Sequence, residues 1–158
     1  MHTENAVTIR GPLDRIIGLA AEVERWPEIL PHYRWVTVLE GGGDRKVVEM
    51  AARRDRIPVK WRAVQEIRQG GEGAVPEIHY RHIRGVTEGM TVGWVFEPRG
   101  DAVLVRIWHE FTPRWPLVGS TPIGGVIAER IVGPQFVAYI AGLTLATIKE
   151  MVEAEGAG

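Results

Sequence analysis

An α+β fold built on a curved antiparallel sheet is predicted by three features of this chain. Apolar and polar residues alternate through short segments between residues 5 and 111, turn-forming glycines and prolines separate those segments, and a long uncharged stretch with helical spacing follows them. The predicted order is one strand, two short helices, six strands and a C-terminal helix that covers the inner face of the sheet.

Residues 5–10, Asn-Ala-Val-Thr-Ile-Arg, alternate as a strand, and Gly11-Pro12 breaks it with proline at a favoured helix start. Leu13, Ile16, Ile17, Ala20 and Val23 then fall on one helical face. Trp26-Pro27-Glu28-Ile29-Leu30-Pro31 is bracketed by prolines, so it holds little more than one further helical turn. Six extended segments follow, near 33–40, 45–54, 57–68, 75–84, 91–97 and 102–111. Gly41-Gly42-Gly43-Asp44, Gln69-Gly70-Gly71-Glu72-Gly73 and Pro98-Arg99-Gly100-Asp101 supply hairpin turns, which makes the strands a meander. The glycine run before Arg45-Lys46 sits between strands and lacks the spacing of a phosphate loop, so it reads as a hairpin. After a proline-rich loop from Thr112 to Pro122, helical spacing continues to about Glu153, with Pro134 expected to kink or divide the helix.

Composition narrows the function classes. With 158 residues, 45% of them apolar and 25% charged, the chain is expected to form a single domain over residues 1–158. The absence of cysteine excludes disulfides, thiolate nucleophiles and Cys-containing metal sites. Ser120 is the only serine and lacks the Gly-x-Ser-x-Gly setting of a hydrolase nucleophile. A net charge of -1 speaks against nucleic-acid binding, which needs many phosphates neutralised. The opening Met-His-Thr-Glu-Asn has no basic stretch before an apolar run, so no signal peptide is read and a cytoplasmic location is expected. Ile131 to Ile148 carries no charge, but its glycines, Pro134, Gln135 and threonines point to a buried helix, with no stable membrane insertion. That helix is more apolar than sheet contact alone requires, so a ligand, a loop, a membrane surface or a second subunit is expected against it.

Four stretches carry a resemblance to a known family. They are Val7-Thr-Ile-Arg-Gly-Pro-Leu-Asp-Arg-Ile-Ile, Glu24-Arg-Trp-Pro-Glu-Ile-Leu-Pro, Gly93-Trp-Val-Phe-Glu-Pro and the long helix running through Ile148-Lys149. Together they resemble the START/Bet v1-like (SRPBCC) helix-grip superfamily, in particular its polyketide cyclase/dehydrase and coenzyme Q-binding-like branch. The resemblance implies a seven-stranded antiparallel sheet wrapped around the C-terminal helix, with two short helices between strands 1 and 2. It also implies a hydrophobic cavity for lipids, quinones or polyketides, and no cofactor or metal.

In this frame Tyr33 matches a cavity tyrosine of the aromatase/cyclases, Arg81 lies close to one of their arginines, and His109 is a polar residue on an inward parity; these three are the catalytic candidates. The inward position nearest the family's strand arginine is Gln65, and Thr144 stands where those enzymes tend to carry asparagine. Trp61, Trp94 and Phe96 share the apolar parity of their strands, and with Phe136 and Ile140 of the helix they complete the ligand-binding candidates. His79 and His82 are three apart on a strand and face opposite ways, so no metal site is read there. The leading expectation is a binding protein for a hydrophobic small molecule. The alternatives are a metal-independent aromatase/cyclase or dehydratase, and a module for homodimerisation or membrane-surface contact.

Overall fold

The computed structural model describes residues 1–54, 56–112 and 133–157, with Arg54 described by its backbone alone. Along the chain come β1 (His2–Arg10), α1 (Leu13–Ala21), a 3-10 turn (Val23–Arg25), α2 (Trp26–Ile29), β2 (Tyr33–Gly42), β3 (Arg45–Arg54), β4 (Ile57–Arg68), β5 (Glu77–Gly85), β6 (Thr91–Arg99), β7 (Ala102–Glu110) and α3 (Pro134–Gly156). The seven strands form one curved antiparallel sheet in the order β1-β7-β6-β5-β4-β3-β2. Strands β2 to β7 pair in sequence, as the turn chemistry predicts. β1 instead pairs with β7 over its whole length, from His2 opposite Glu110 to Arg10 opposite Ala102. Because α1 and α2 lie between β1 and β2 in the chain, they link the two edges of the sheet.

Alternation decides which side is buried. On β5, Ile78, Tyr80 and His82 are buried while Arg81 and Ile83 are exposed; on β7, Val103, Val105 and Ile107 point inward. Helix α3 lays Phe136, Val137, Ala141, Thr144, Leu145, Ile148 and Val152 against the remaining core. Each fully buried aliphatic side chain of this set stabilises the fold by roughly 1.5–3 kcal/mol. Polar ties then fix α3 to its neighbours. Asn5 Nδ2 donates to the Ala138 carbonyl at 3.1 Å, Lys149 Nζ donates to the Thr8 carbonyl at 2.7 Å, and Arg15 grips the Glu155 carboxylate through two nitrogens at 2.7 and 3.0 Å.

One sequence expectation changes here. Pro134 does not kink a continuous helix: Gly133 is extended, with φ -66° and ψ 162°, and Pro134 is the first helical residue, where its missing N–H costs nothing. The helical reading of residues 123–132, and the proline-rich loop before it, lie outside the described residues from 113 onward. The apolar surface of the C-terminal helix that exceeds its sheet contact, expected to meet a ligand, a loop, a membrane surface or a second subunit, faces a cavity. Among the described residues, Tyr139 is the only large apolar side chain of α3 that is exposed, because the rest meets the sheet, α1 and a cavity. No described helix is long and apolar enough to cross a membrane.

Candidate functional site

A cavity of about 100 Å³ lies between the inner face of the sheet and α3. A water needs roughly 10–15 Å³ by that measure, so the space accepts a group the size of a ring. Its floor comes from β2 to β7, and its roof is the face of α3 that carries Phe136, Val137, Ile140, Ala141 and Thr144. This face recurs every three to four residues, which is why a helix can present it without presenting its polar side.

Aromatic rings form the wall. Trp61 stacks on His82 with centroids 5.8 Å apart and planes 6° from parallel, and Tyr33 meets Trp61 edge-on at 6.2 Å. Trp26 in turn meets Tyr33 at 5.0 Å and Trp94 at 6.0 Å, so the rings run unbroken from His82 on β5 to Trp94 on β6. The Trp26 indole N–H donates to the Leu19 carbonyl at 2.9 Å, which ties the short helix α2 to the end of α1 and holds the ring in place.

The polar groups are few. The Tyr33 phenol has no hydrogen-bond partner among the described residues, and burial pushes its pKa up, so it stays protonated and can donate. Burial pushes His109 down to about 4, with a small contribution from His2, and its Nδ1 is buried without a partner among the described residues. His82 is pushed down to about 3 by burial and by His109, and its Nδ1 lies 2.6 Å from the Thr87 hydroxyl. Both imidazoles are therefore neutral at neutral pH, each offering one N–H and one lone pair. On the helix side, the Thr144 hydroxyl donates to the Ile140 carbonyl at 2.9 Å and lies 3.4 Å from His32 Nε2.

The structure gathers Tyr33, Trp61, Trp94, His109, Phe136, Ile140 and Thr144 around this one cavity. Three candidates fall elsewhere. Arg81 is exposed on the outer face of β5, because strand parity sends its neighbours Tyr80 and His82 inward. Gln65 is fully buried but serves the framework: its Nε2 donates to the Ala21 carbonyl at 2.9 Å and to the Tyr80 phenol at 2.8 Å, satisfying a carbonyl at the end of α1. Phe96 sits behind Trp94, stacked at 6.2 Å, and does not line the cavity. The lining residues that sequence reasoning did not select include Trp26, His82 and Thr87, with Met50 and Met90 beside them. Parity alone marks His82 as inward. Thr87 and Met90 come from a turn, where no periodicity points to them.

The sequence profile of the polyketide cyclase/dehydrase and lipid transport family matches residues 10–132. A Streptomyces halstedii protein inferred to be a polyketide cyclase is 30% identical over 105 residues, which are 66% of this chain and 95% of that protein. Among solved structures, the Zhui aromatase/cyclase of Streptomyces sp. R1128 superposes with a TM-score of 0.78 at 19% identity, covering 97% of this chain and 93% of that one. A STAR-related lipid transfer protein from Xanthomonas axonopodis gives 0.69 at 11% identity, over 96% of this chain and 85% of that one. At such identities the two structures show a common fold, and the chemistry has to come from the site itself.

Proposed function

The chain belongs to the polyketide cyclase/dehydrase and lipid transport family, and from that membership we propose that its cavity binds a flat, hydrophobic small molecule bearing oxygen groups, of aromatic polyketide, quinone or lipid-like type. The observation that carries this reading is the wall of rings from His82 through Trp61, Tyr33 and Trp26 to Trp94, facing an apolar helix. Apolar sites with a few placed polar groups take their affinity from area and their orientation from hydrogen bonds. Here Tyr33 supplies a donor, and His109 supplies either a donor or an acceptor. Native mass spectrometry and organic extraction of the purified protein are expected to show such a molecule, and a fluorescent apolar probe is expected to enter and be displaced by it. Clean extracts together with no probe uptake would remove the reading. On it, the protein is a cytoplasmic carrier, and dimerisation is part of the proposal.

A second reading is favoured by the Streptomyces halstedii relative: ring closure on a poly-β-keto chain. Neutral His109 would take a proton from a methylene between two carbonyls, and the protonated Tyr33 would donate a hydrogen bond to the enolate oxygen. The carbanion would then attack another carbonyl of the same chain, whose C–O π bond opens to an alkoxide that takes up the proton held by His109. Arg81, on the outer face, takes no part. A Tyr33→Phe variant separates the two readings: a carrier keeps its affinity for apolar probes, whereas a cyclase loses turnover by roughly tenfold or more for one lost hydrogen bond.

A further inference from the structure

Among the described residues, only one edge of the sheet is closed. At β1 the side chains of α3 cover the free backbone groups, with Lys149 Nζ donating to the Thr8 carbonyl and the Arg10 N–H donating to Glu153 Oε1 at 3.1 Å. At the other edge, among the described residues, no side chain or loop hydrogen-bonds the outward backbone of β2 from Trp35 to Gly42. Residues 37–42 are exposed, including Val38 at 39% and Leu39 at 46%. Neither lysine nor proline, the usual guards of such an edge, occurs on this strand. Its two charges, Arg34 and Glu40, are opposite in sign, exposed and without an ion-pair partner among the described residues. On β3 and β4, by contrast, Glu49 is held by Arg62, Arg45 by Glu66 and Lys46 by Glu24.

We propose that β2 pairs antiparallel with β2 of a second copy of this chain about a two-fold axis through Thr37. A two-fold interface must be complementary to itself, and this strand is. Thr37 faces the partner's Thr37, Val36 faces the partner's Val38, Trp35 faces the partner's Leu39, and Arg34 faces the partner's Glu40. Each pair joins like with like in polarity and unlike in charge, the arrangement that stabilises neighbouring strands. Moving the axis by one residue destroys the match: Arg34 then meets the partner's Val38 or the partner's Gly42. The regular stretch Trp35–Val38 forms the centre of the shared ladder, and beyond the register shifts at Arg34 and Leu39 the long side chains of Arg34 and the partner's Glu40 meet as flanking ion pairs. The assembly joins two sheets into one, and Tyr33 of the cavity begins the shared strand.

The chain has no cysteine, so Thr37→Cys places one thiol on the axis of each copy. Opposed strand residues have Cα atoms about 4.5–5.5 Å apart, within disulfide reach. Thr37→Cys is expected to give a disulfide-linked dimer of twice 17.6 kDa on mild oxidation, while Ile83→Cys on the exposed face of β5 is expected to give none under denaturing, non-reducing conditions. In sedimentation equilibrium the wild type is expected to shift toward dimer as concentration rises. Arg34→Glu or Glu40→Arg alone is expected to raise the dissociation constant by about tenfold or more, and the double reversal to restore it to within about threefold. Circular dichroism melts verify that each variant is folded. A monomer at every concentration overturns the proposal, and so does a dimer indifferent to both single reversals, which would place the contact elsewhere, such as around Tyr139.

Discussion

Gln65 and Thr144 are both polar, buried and turned toward the interior, yet they do different work. Gln65 donates to one carbonyl and one phenol that water cannot reach, so Gln65→Ala leaves the Ala21 carbonyl unpaired, leaves the Tyr80 phenol only its 3.3 Å bond to the Ala20 carbonyl, and opens a void, a loss expected at about 2–4 kcal/mol in chemical denaturation. Thr144 spends its hydroxyl on the Ile140 carbonyl of its own helix, a group already bonded within the helix. Thr144→Val is therefore expected to cost about 1 kcal/mol or less and to leave apolar probe binding within about threefold, as a titration would show. A tenfold loss confined to oxygenated ligands would instead mean that the hydroxyl orients the ligand, and would turn the ranking toward the enzyme. Strand parity made Trp61, Trp94, Phe96 and His109 legible as inward residues, and the family resemblance marked Tyr33, but inward does not mean lining. Helix α1 fills the part of the inner face over β6 and the end of β4, and it takes Phe96 and Gln65 into the core. Nothing in the spacing of residues tells which end of a sheet a helix will cover.

Among the elements, β6 shows a compensation that alternation does not reveal. Gly93 lies directly opposite Trp108 of β7, whose indole covers it so closely that a Cβ at position 93 would overlap the ring. His79 of β5 meets the same indole edge-on at 5.7 Å, so the ring has little room to move. Gly93→Ala is expected to destabilise by about 1–3 kcal/mol through this overpacking, although alanine ordinarily suits a strand better than glycine does. A thermal melt equal to that of the wild type would show that Trp108 can swing aside. The hairpins were readable because each carries local turn chemistry, such as Gly43-Asp44 between β2 and β3. The β1–β7 pairing was not, since it joins residues about a hundred positions apart and no local signal records it. For α3, proline marks the helix start and not a bend, a choice the one-dimensional spacing left open.

For the molecule as a whole, burial of neutral histidines sets an acid limit. Folding holds His82 down to about 3 and His109 down to about 4, whereas both titrate near 6.5 in an unfolded chain. As pH falls below about 6.5 the unfolded chain therefore takes up protons first, and stability declines until the folded forms also charge. The carboxylates act in a lower window. Arg62 holds Glu49 down, Lys149 holds Glu153 and Arg15 holds Glu155, while at Glu24 burial works upward as the largest single effect and the Lys46 bond, a backbone hydrogen bond and the Lys46 charge together outweigh it. Their contribution is present above the usual carboxylate pKa near 4.3 and disappears as pH drops through the depressed values. At the alkaline end the buried phenols of Tyr33 and Tyr80 are held protonated, so stability falls again above about 10, where unfolded tyrosines ionise. Urea unfolding is thus expected to be flat from about pH 7 to 9 and to lose a few kcal/mol by pH 5. In the double variant His82→Gln/His109→Gln that loss above pH 5 should largely disappear, leaving the carboxylate decline at lower pH intact. A wild type equally stable at pH 5 and pH 7 would mean that the imidazoles reach water or a counter-charge, and the cavity would no longer count as an apolar container.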